Sequence, residues 1–243
     1  MICIPMAGNS TRFYEAGYLI PKFQLEVEKV PLFRLALLSF SKYFETETFL
    51  FIINRKNNSL AFVESELKTL QIKNYLIVQL DNDTGGQADT VAIGLTSKIR
   101  DENEHLLIFN IDTIRPNFQY PKHFPNFPWL EAFIAEGEHW SFVDPNPNSD
   151  EVSRVVEKQR ISNFCSTGIY FFPTIKEYLD TFYLYETSLP NMELYVAPLY
   201  QLLIDQNRVV KYSLIHSQDI FLAGTPSEFR ALNADILFQS LGI

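Results

Sequence analysis

The stretch Ile4-Pro5-Met6-Ala7-Gly8-Asn9-Ser10-Thr11-Arg12-Phe13, followed by Pro21-Lys22, decides how this chain is read. An apolar run delivers the backbone to small residues whose N–H groups can face an anion. Arg12 can grip a phosphate with two donors, and Lys22 adds a point charge. By itself, an Ala-Gly turn is better explained by an ordinary strand-to-loop turn with surface cations, so the segment gains meaning only from the residues downstream of it.

Apolar runs at residues 2–5, 48–53, 75–80 and 105–111 alternate with helical spacing at 32–44, 60–70 and 88–99. This is the pattern of an open α/β sheet with ligand at its carboxyl edge. Beyond Asp112, Pro116, Pro121, Pro125 and Pro128 punctuate an aromatic stretch. It reads as an ordered excursion, neither helix nor central strand. Residues 140–144, 154–158 and 165–172 then read as strands and 175–185 and 194–206 as helices, so the sheet becomes mixed. Thr225-Pro226-Ser227-Glu228 combines a capping box with proline at the first helical position and opens a last helix reaching about residue 239. The expected fold is α/β, one domain over residues 1–243 with a mixed, mainly parallel central sheet flanked by helices.

The 243 residues and 47% hydrophobic content suffice for one large core. A net charge of −9 without a Lys/Arg cluster argues against nucleic acid as a partner. The first apolar run lacks a basic leader and is too short for export or a membrane span, so a cytoplasmic protein without membrane attachment is expected. Cys3 and Cys165 cannot build a four-thiolate site and are expected to stay reduced. His105, His123, His139 and His216 lack ligand spacing, which disfavours a histidine metal site or a Ser-His-Asp triad. Phe118, Tyr120, Phe124, Phe127 and Trp129 read as packing residues.

The opening strand, Ala-Gly loop ending in Arg12, and Pro21-Lys22 resemble the sugar-phosphate nucleotidyltransferases. Gly85-Gly86-Gln87-Ala88-Asp89-Thr90 resembles that family's second glycine segment, Asn110-Ile111-Asp112 its metal-binding aspartate, and Glu157-Lys158 its Glu-Lys pair. Ser166-Thr167-Gly168-Ile169-Tyr170 and Gly224-Thr225-Pro226 complete the order, so the resemblance spans the chain. Trp140-Ser141-Phe142-Val143 and Tyr195-Val196-Ala197-Pro198-Leu199-Tyr200 look most like the branch serving capsule and surface-polysaccharide biosynthesis.

This resemblance implies a nucleotide-diphospho-sugar transferase, Rossmann-like fold, with a nucleotide-binding half at 1–112 and an acceptor-binding half with the C-terminal helix at 113–243. It implies transfer of a nucleoside monophosphate from a triphosphate to a small phosphorylated acceptor, with release of pyrophosphate and help from Mg2+. Arg12 and Lys22 would be catalytic. Ala7, Gly8, Asn9, Ser10, Thr11, Gln79, Gly85, Gly86 and Gln87 would hold the nucleotide, and Glu157, Lys158 and Gly168 the acceptor. Asp112 would hold the metal; its alternative is a turn-capping aspartate. Relatives often carry a second aspartate where this chain has Leu222. Asp219, three residues earlier, is the candidate second ligand, with an exposed strand end as its alternative. Two rival functions remain open, a metal-dependent glycosyltransferase using a nucleotide sugar and a nucleotide-binding regulatory domain.

Overall fold

Strands form where apolar runs can be buried on both faces. In the computed structural model, which describes residues 1–98, 101–122, 124–188 and 193–243, every residue of Phe49–Asn54 is buried, as is every residue of Leu106–Phe109. Ile99 and His123, both included in the sequence reading, lie outside the described residues. The N-terminal elements are β1 (Ile2–Met6), α1 (Thr11–Glu15), β2 (Glu26–Val27), β3 (Val30–Pro31), α2 (Leu32–Leu38), β4 (Phe49–Asn54), α3 (Leu60–Thr69), β5 (Tyr75–Leu80) and α4 (Gln87–Lys98). There follow β6 (Leu106–Phe109), β7 (Thr113–Ile114), β8 (Trp129–Ile134), β9 (Ser141–Pro145), β10 (Val152–Glu157) and β11 (Phe164–Phe172). The chain continues through α5 (Ile175–Ser188), α6 (Ala197–Asp205), β12 (Lys211–Leu214), β13 (Phe221–Leu222), α7 (Pro226–Ala231) and α8 (Ala234–Leu241).

The fold is α/β, with the expected mixed sheet flanked by helices. Its residues group into two compact units whose boundaries alternate along the chain: 1–3, 84–109 and 120–217 in the first, 4–83, 110–119 and 218–243 in the second. In the first unit the strands run β10-β9-β11-β6-β1, with β8 paired to β11 and β12 to β8. β1 and β6 are parallel there, β11 is antiparallel to its neighbours, and β12 is parallel to β8. In the second unit β4 and β5 are parallel, pairing Phe49 with Tyr75 through to Asn54 with Leu80. A short antiparallel ladder pairs Thr113 with Leu222 and Ile114 with Phe221.

Several boundaries differ from the sequence reading for identifiable reasons. The helix expected over 32–44 ends at Leu38, because Ser39 N–H and Phe40 N–H bond back three residues, to Ala36 and Leu37. That tightens the last turn and frees the Ser39 hydroxyl to accept from Arg115 N at 2.9 Å. The helix expected from 194 starts at Ala197 instead. Leu194 is extended between Gly85 O and Ala88 N, which are both hydrogen-bonded to its backbone. β8 was not foreseen; it begins directly after Pro128, the last proline of the stretch read as an excursion, and all of it but Ile134 is buried.

The last helix is in fact two. Thr225 and Glu228 form the reciprocal capping box, with Glu228 N–H donating to Thr225 Oγ1 at 3.2 Å and Thr225 N–H to Glu228 Oε2 at 2.8 Å. α7 then stops at Ala231, and Asn233 caps α8 by accepting from Ile236 N at 3.1 Å. Asparagine gains more from capping than from a helix interior, so the break falls where it stands. Thr225→Ala is expected to cost about 1 kcal/mol of stability, or a Tm lower by about 2–4 °C. Urea unfolding checks this; an unchanged midpoint contradicts it.

Candidate functional site

The loop expected to hold phosphate is built from the buried end of β1 outward. Ala7 is buried while Gly8 and Asn9 are exposed, and a Cβ placed on Gly8 would meet nothing within 4 Å. Ser10 adopts a left-handed conformation (φ 51°) that turns the chain into α1. Phe13 anchors this short helix in the core, edge-on to Tyr18 and Phe229. Arg12, one residue earlier, stays exposed and, among the described residues, forms no ion pair. Ser10 Oγ accepts the backbone N–H of Lys22 at 3.2 Å, which fastens Pro21-Lys22 to the loop.

Lys22 Nζ donates to Asp112 Oδ2 at 2.6 Å, with both side chains partly buried. Asp112 is held by its own backbone as well, since its carbonyl accepts from Ala223 N at 2.8 Å. Gly224 follows, and a Cβ there would lie 3.0 Å from Asp112 Oδ2 and 3.4 Å from Glu228 Oε2. The missing side chain thus keeps open a space beside the carboxylate. Asp219 sits, partly buried, in the one-turn helix Ser217–Asp219 just ahead of β13, and Leu222 pairs opposite Thr113. Gln79 is the penultimate residue of β5 and pairs with Ile53 of β4.

The first unit carries the remaining expected residues. Gly86 has φ 150°, and a Cβ there would fall 2.4 Å from Leu194 O and 2.5 Å from Leu194 N, so only glycine admits this backbone approach. Gly85 N–H is capped by Asp89 Oδ2 at 2.7 Å, and α4 opens at Gln87. Glu157 ends β10 opposite Ser141, whose hydroxyl donates to Glu157 Oε2. Burial pushes the Glu157 carboxyl above the usual glutamate range, while the Ser141 hydrogen bond and the Lys158 charge oppose the rise. Tyr170, 3.4 Å from the same hydroxyl, is pushed up to about 12, chiefly by burial.

Lys158 turns the chain with φ 54° and donates its N–H to Trp140 O at 2.8 Å. Its Nζ donates to Tyr195 OH, lies 4.2 Å from the centre of that ring and 3.9 Å from Glu193 Oε2. Gly168, with φ 86°, is the bulge of β11, where pairing to β8 shifts between Ser166 and Tyr170.

No family model and no curated protein matches the chain. Among solved structures, a nucleoside-diphosphate-sugar pyrophosphorylase from Vibrio cholerae RC9 is 38% identical over 98% of this chain and 99% of its own, with a TM-score of 0.90. The chain belongs to the nucleoside-diphosphate-sugar pyrophosphorylase family. Two further structures share the fold at 16% identity. The inositol-1-phosphate CTP transferase from T. maritima has a TM-score of 0.75, covering 99% of this chain and 94% of its own. A UDP-glucose pyrophosphorylase complexed with UDP-glucose has a TM-score of 0.69, covering 99% and 96%.

Within this pyrophosphorylase fold, the second unit brings together Ser10, Lys22, Asp112 and Gly224. Among the described residues no group of three or more His, Cys, Asp or Glu side chains could hold a metal ion. A magnesium ion fits the donor set nonetheless, because it keeps several waters and takes one or two carboxylates plus substrate phosphates. Asp112, beside the space left by Gly224, is the residue suited to it. Sequence reasoning missed the Glu228 carboxylate flanking that space, which the capping box signalled, and the Tyr195 and Glu193 contacts of Lys158, which no spacing signals. Cys3 and Cys165 are buried and free, and burial pushes both thiols up, away from nucleophilic chemistry. No helix among the described residues is long and apolar enough to cross a membrane.

Proposed function

We propose that this pyrophosphorylase-family chain is a Mg2+-dependent nucleotidyltransferase. It transfers CMP in the first instance, with UMP or dTMP as alternatives, from the nucleoside triphosphate to a sugar phosphate or another small phosphorylated metabolite such as phosphoglutamine. The setting is cytoplasmic synthesis of capsule or surface-polysaccharide precursors. The observation that carries the reaction class is the Lys22–Asp112 contact at 2.6 Å beside an open glycine loop. It supports a reading in which a cation and a metal-binding carboxylate act at the same point.

In this reading an acceptor phosphate oxygen attacks the α-phosphorus, a new P–O bond forms, and the bond to the β-phosphate breaks as pyrophosphate leaves with the electron pair. The backbone of Ala7, Gly8, Asn9, Ser10 and Thr11 cradles the phosphates, and Arg12 binds their oxygens. Lys22 leaves Asp112 for the triphosphate, so its charge arrives without being drawn out of water. Asp112, with Asp219 as the candidate second ligand, would hold the magnesium ion, which supplies charge neutralisation when bound. Gln79 reads the base edge, and the Gly85, Gly86 and Gln87 turn borders the nucleoside. Glu157 accepts hydroxyl or ammonium hydrogen bonds from the acceptor, Lys158 holds its phosphate, and Gly168 allows close approach.

The test is pyrophosphate release with CTP, UTP and dTTP, each against a panel of sugar phosphates and phosphorylated amino-acid derivatives with Mg2+. Turnover of a triphosphate–acceptor pair supports the proposal. Activity only with preformed nucleotide sugars would make the chain a glycosyltransferase.

Lys158→Met tests the acceptor side. Methionine keeps the stem and the same left-handed backbone demand while deleting the charge. The acceptor KM is expected to rise about tenfold or more with the triphosphate KM unchanged, since a charged hydrogen bond to phosphate is lost. A defect confined to triphosphate affinity would remove Lys158 from the acceptor pocket.

A further inference from the structure

Lys158 is held from both of the segments that the sequence singles out at 140–143 and 195–200. Its N–H donates to Trp140 O at 2.8 Å, and its Nζ donates to the Tyr195 hydroxyl. The first bond fixes the backbone of the turn. The second holds the far end of a flexible four-carbon stem, the part that would meet a phosphate. The Tyr195 hydroxyl has one proton, which it donates to Glu193 Oε2, so toward Lys158 it acts only as an acceptor. Glu193 Oε2 itself is 3.9 Å from Nζ, too far for a hydrogen bond. An ammonium has three donors, and the one given to Tyr195 leaves others for an incoming anion.

Tyr195 can serve as a fixed point because its own backbone is clamped. Leu194, the residue before it, is buried, donates its N–H to Gly85 O at 2.9 Å and accepts from Ala88 N at 2.9 Å. α6 opens two residues after Tyr195, at Ala197, and a phenol ring turns about only two side-chain torsions. The ammonium is thereby located relative to the Gly85-Gly86 turn.

We propose that Tyr195 is a positioning residue for the acceptor: its hydroxyl orders the Lys158 ammonium before the acceptor phosphate arrives, at a set place relative to the turn bordering the nucleoside. The proposal rests on reading Lys158 as the acceptor's phosphate contact and residues 85–87 as that border. In-line attack requires the two phosphates to be held in register, and a lysine free to sample its rotamers would lose binding energy in ordering itself. The phenol removes that loss in advance.

The experiment measures pyrophosphate release by the parent, Tyr195→Phe, Lys158→Met and the double variant, with hexose phosphates and phosphoglutamine as acceptors, Mg2+ present, and Tm recorded for each protein. Tyr195 is only partly buried and phenylalanine keeps its ring, so the variant is expected to fold. With the acceptor that the parent uses best, Tyr195→Phe is expected to raise the acceptor KM about fivefold and to leave the triphosphate KM unchanged. The rise is smaller than that for Lys158→Met, because the charge remains and only its order is lost. The double variant is expected to match Lys158→Met, since the phenol acts only through the ammonium. A Tyr195→Phe acceptor KM within about twofold of the parent's overturns the proposal, whatever the Tm, and so does an equal rise in both KM values. Losses that multiply in the double variant give Tyr195 an acceptor contact of its own and overturn it as well. A parent that turns over no triphosphate–acceptor pair, or a Lys158→Met enzyme with the parental acceptor KM, removes the acceptor reading itself and the proposal with it. That outcome is distinct from an unaffected Tyr195→Phe enzyme.

Discussion

Lys22→Ala is expected to lower kcat/KM by roughly a hundred- to a thousandfold, the loss caused by removing one preorganised charge at a transferring phosphoryl group. Alanine retains the backbone N–H that Ser10 Oγ accepts, so the loop keeps its fastening and the charge alone is deleted. The Lys22 side chain fills no part of the buried core, and Asp112, left without its partner, still reaches solvent. Stability should therefore change little. Steady-state pyrophosphate release and urea unfolding on the same preparation check both halves of the statement. A folded variant within about threefold of the parent would show that Lys22 does not meet charge developing in the reaction.

Asp112→Asn is expected to cut turnover by about a hundredfold and to raise the Mg2+ concentration needed for half-maximal rate by about tenfold. The amide matches the carboxylate in shape, and its oxygen can still accept from Lys22, so neither the Lys22 position nor the space beside Gly224 is disturbed. What disappears is one negative charge at a hard-cation site. Rate against Mg2+ concentration for parent and variant gives the result. Superimposable Mg2+ curves would leave Asp112 as a partner of Lys22 and nothing more.

How far the chain was legible depended on whether the relevant force was local. The strands at β1, β4 and β6 announced themselves because burial on both faces demands unbroken apolar runs. The capping box at Thr225 was readable for the same reason, its partners being three residues apart. Asn233 was equally local and was passed over, which joined two helices into one. The late start of α6 could not be read at all. It arises from the backbone of Leu194 being claimed by Gly85 and Ala88, a pairing between distant segments that leaves no periodicity in either. At the candidate site, Arg12, Lys22 and Asp112 were singled out as residue types that phosphate chemistry would use, and the fold sets Lys22 against Asp112.

The pairing of Ile2 with Leu107, and of the Asp112 carbonyl with Ala223 N–H, bears on how this protein is made. Synthesis runs from the amino end, so the apolar first strand leaves the ribosome long before its partner exists. The carboxylate that faces Lys22 is braced only after Ala223 has emerged. Loop closure over such separations is slow, and unpaired strand edges invite association in the meantime. Stalled or prematurely terminated translation products should thus collect in inclusion bodies, and slower translation at lower temperature should favour recovery of native protein.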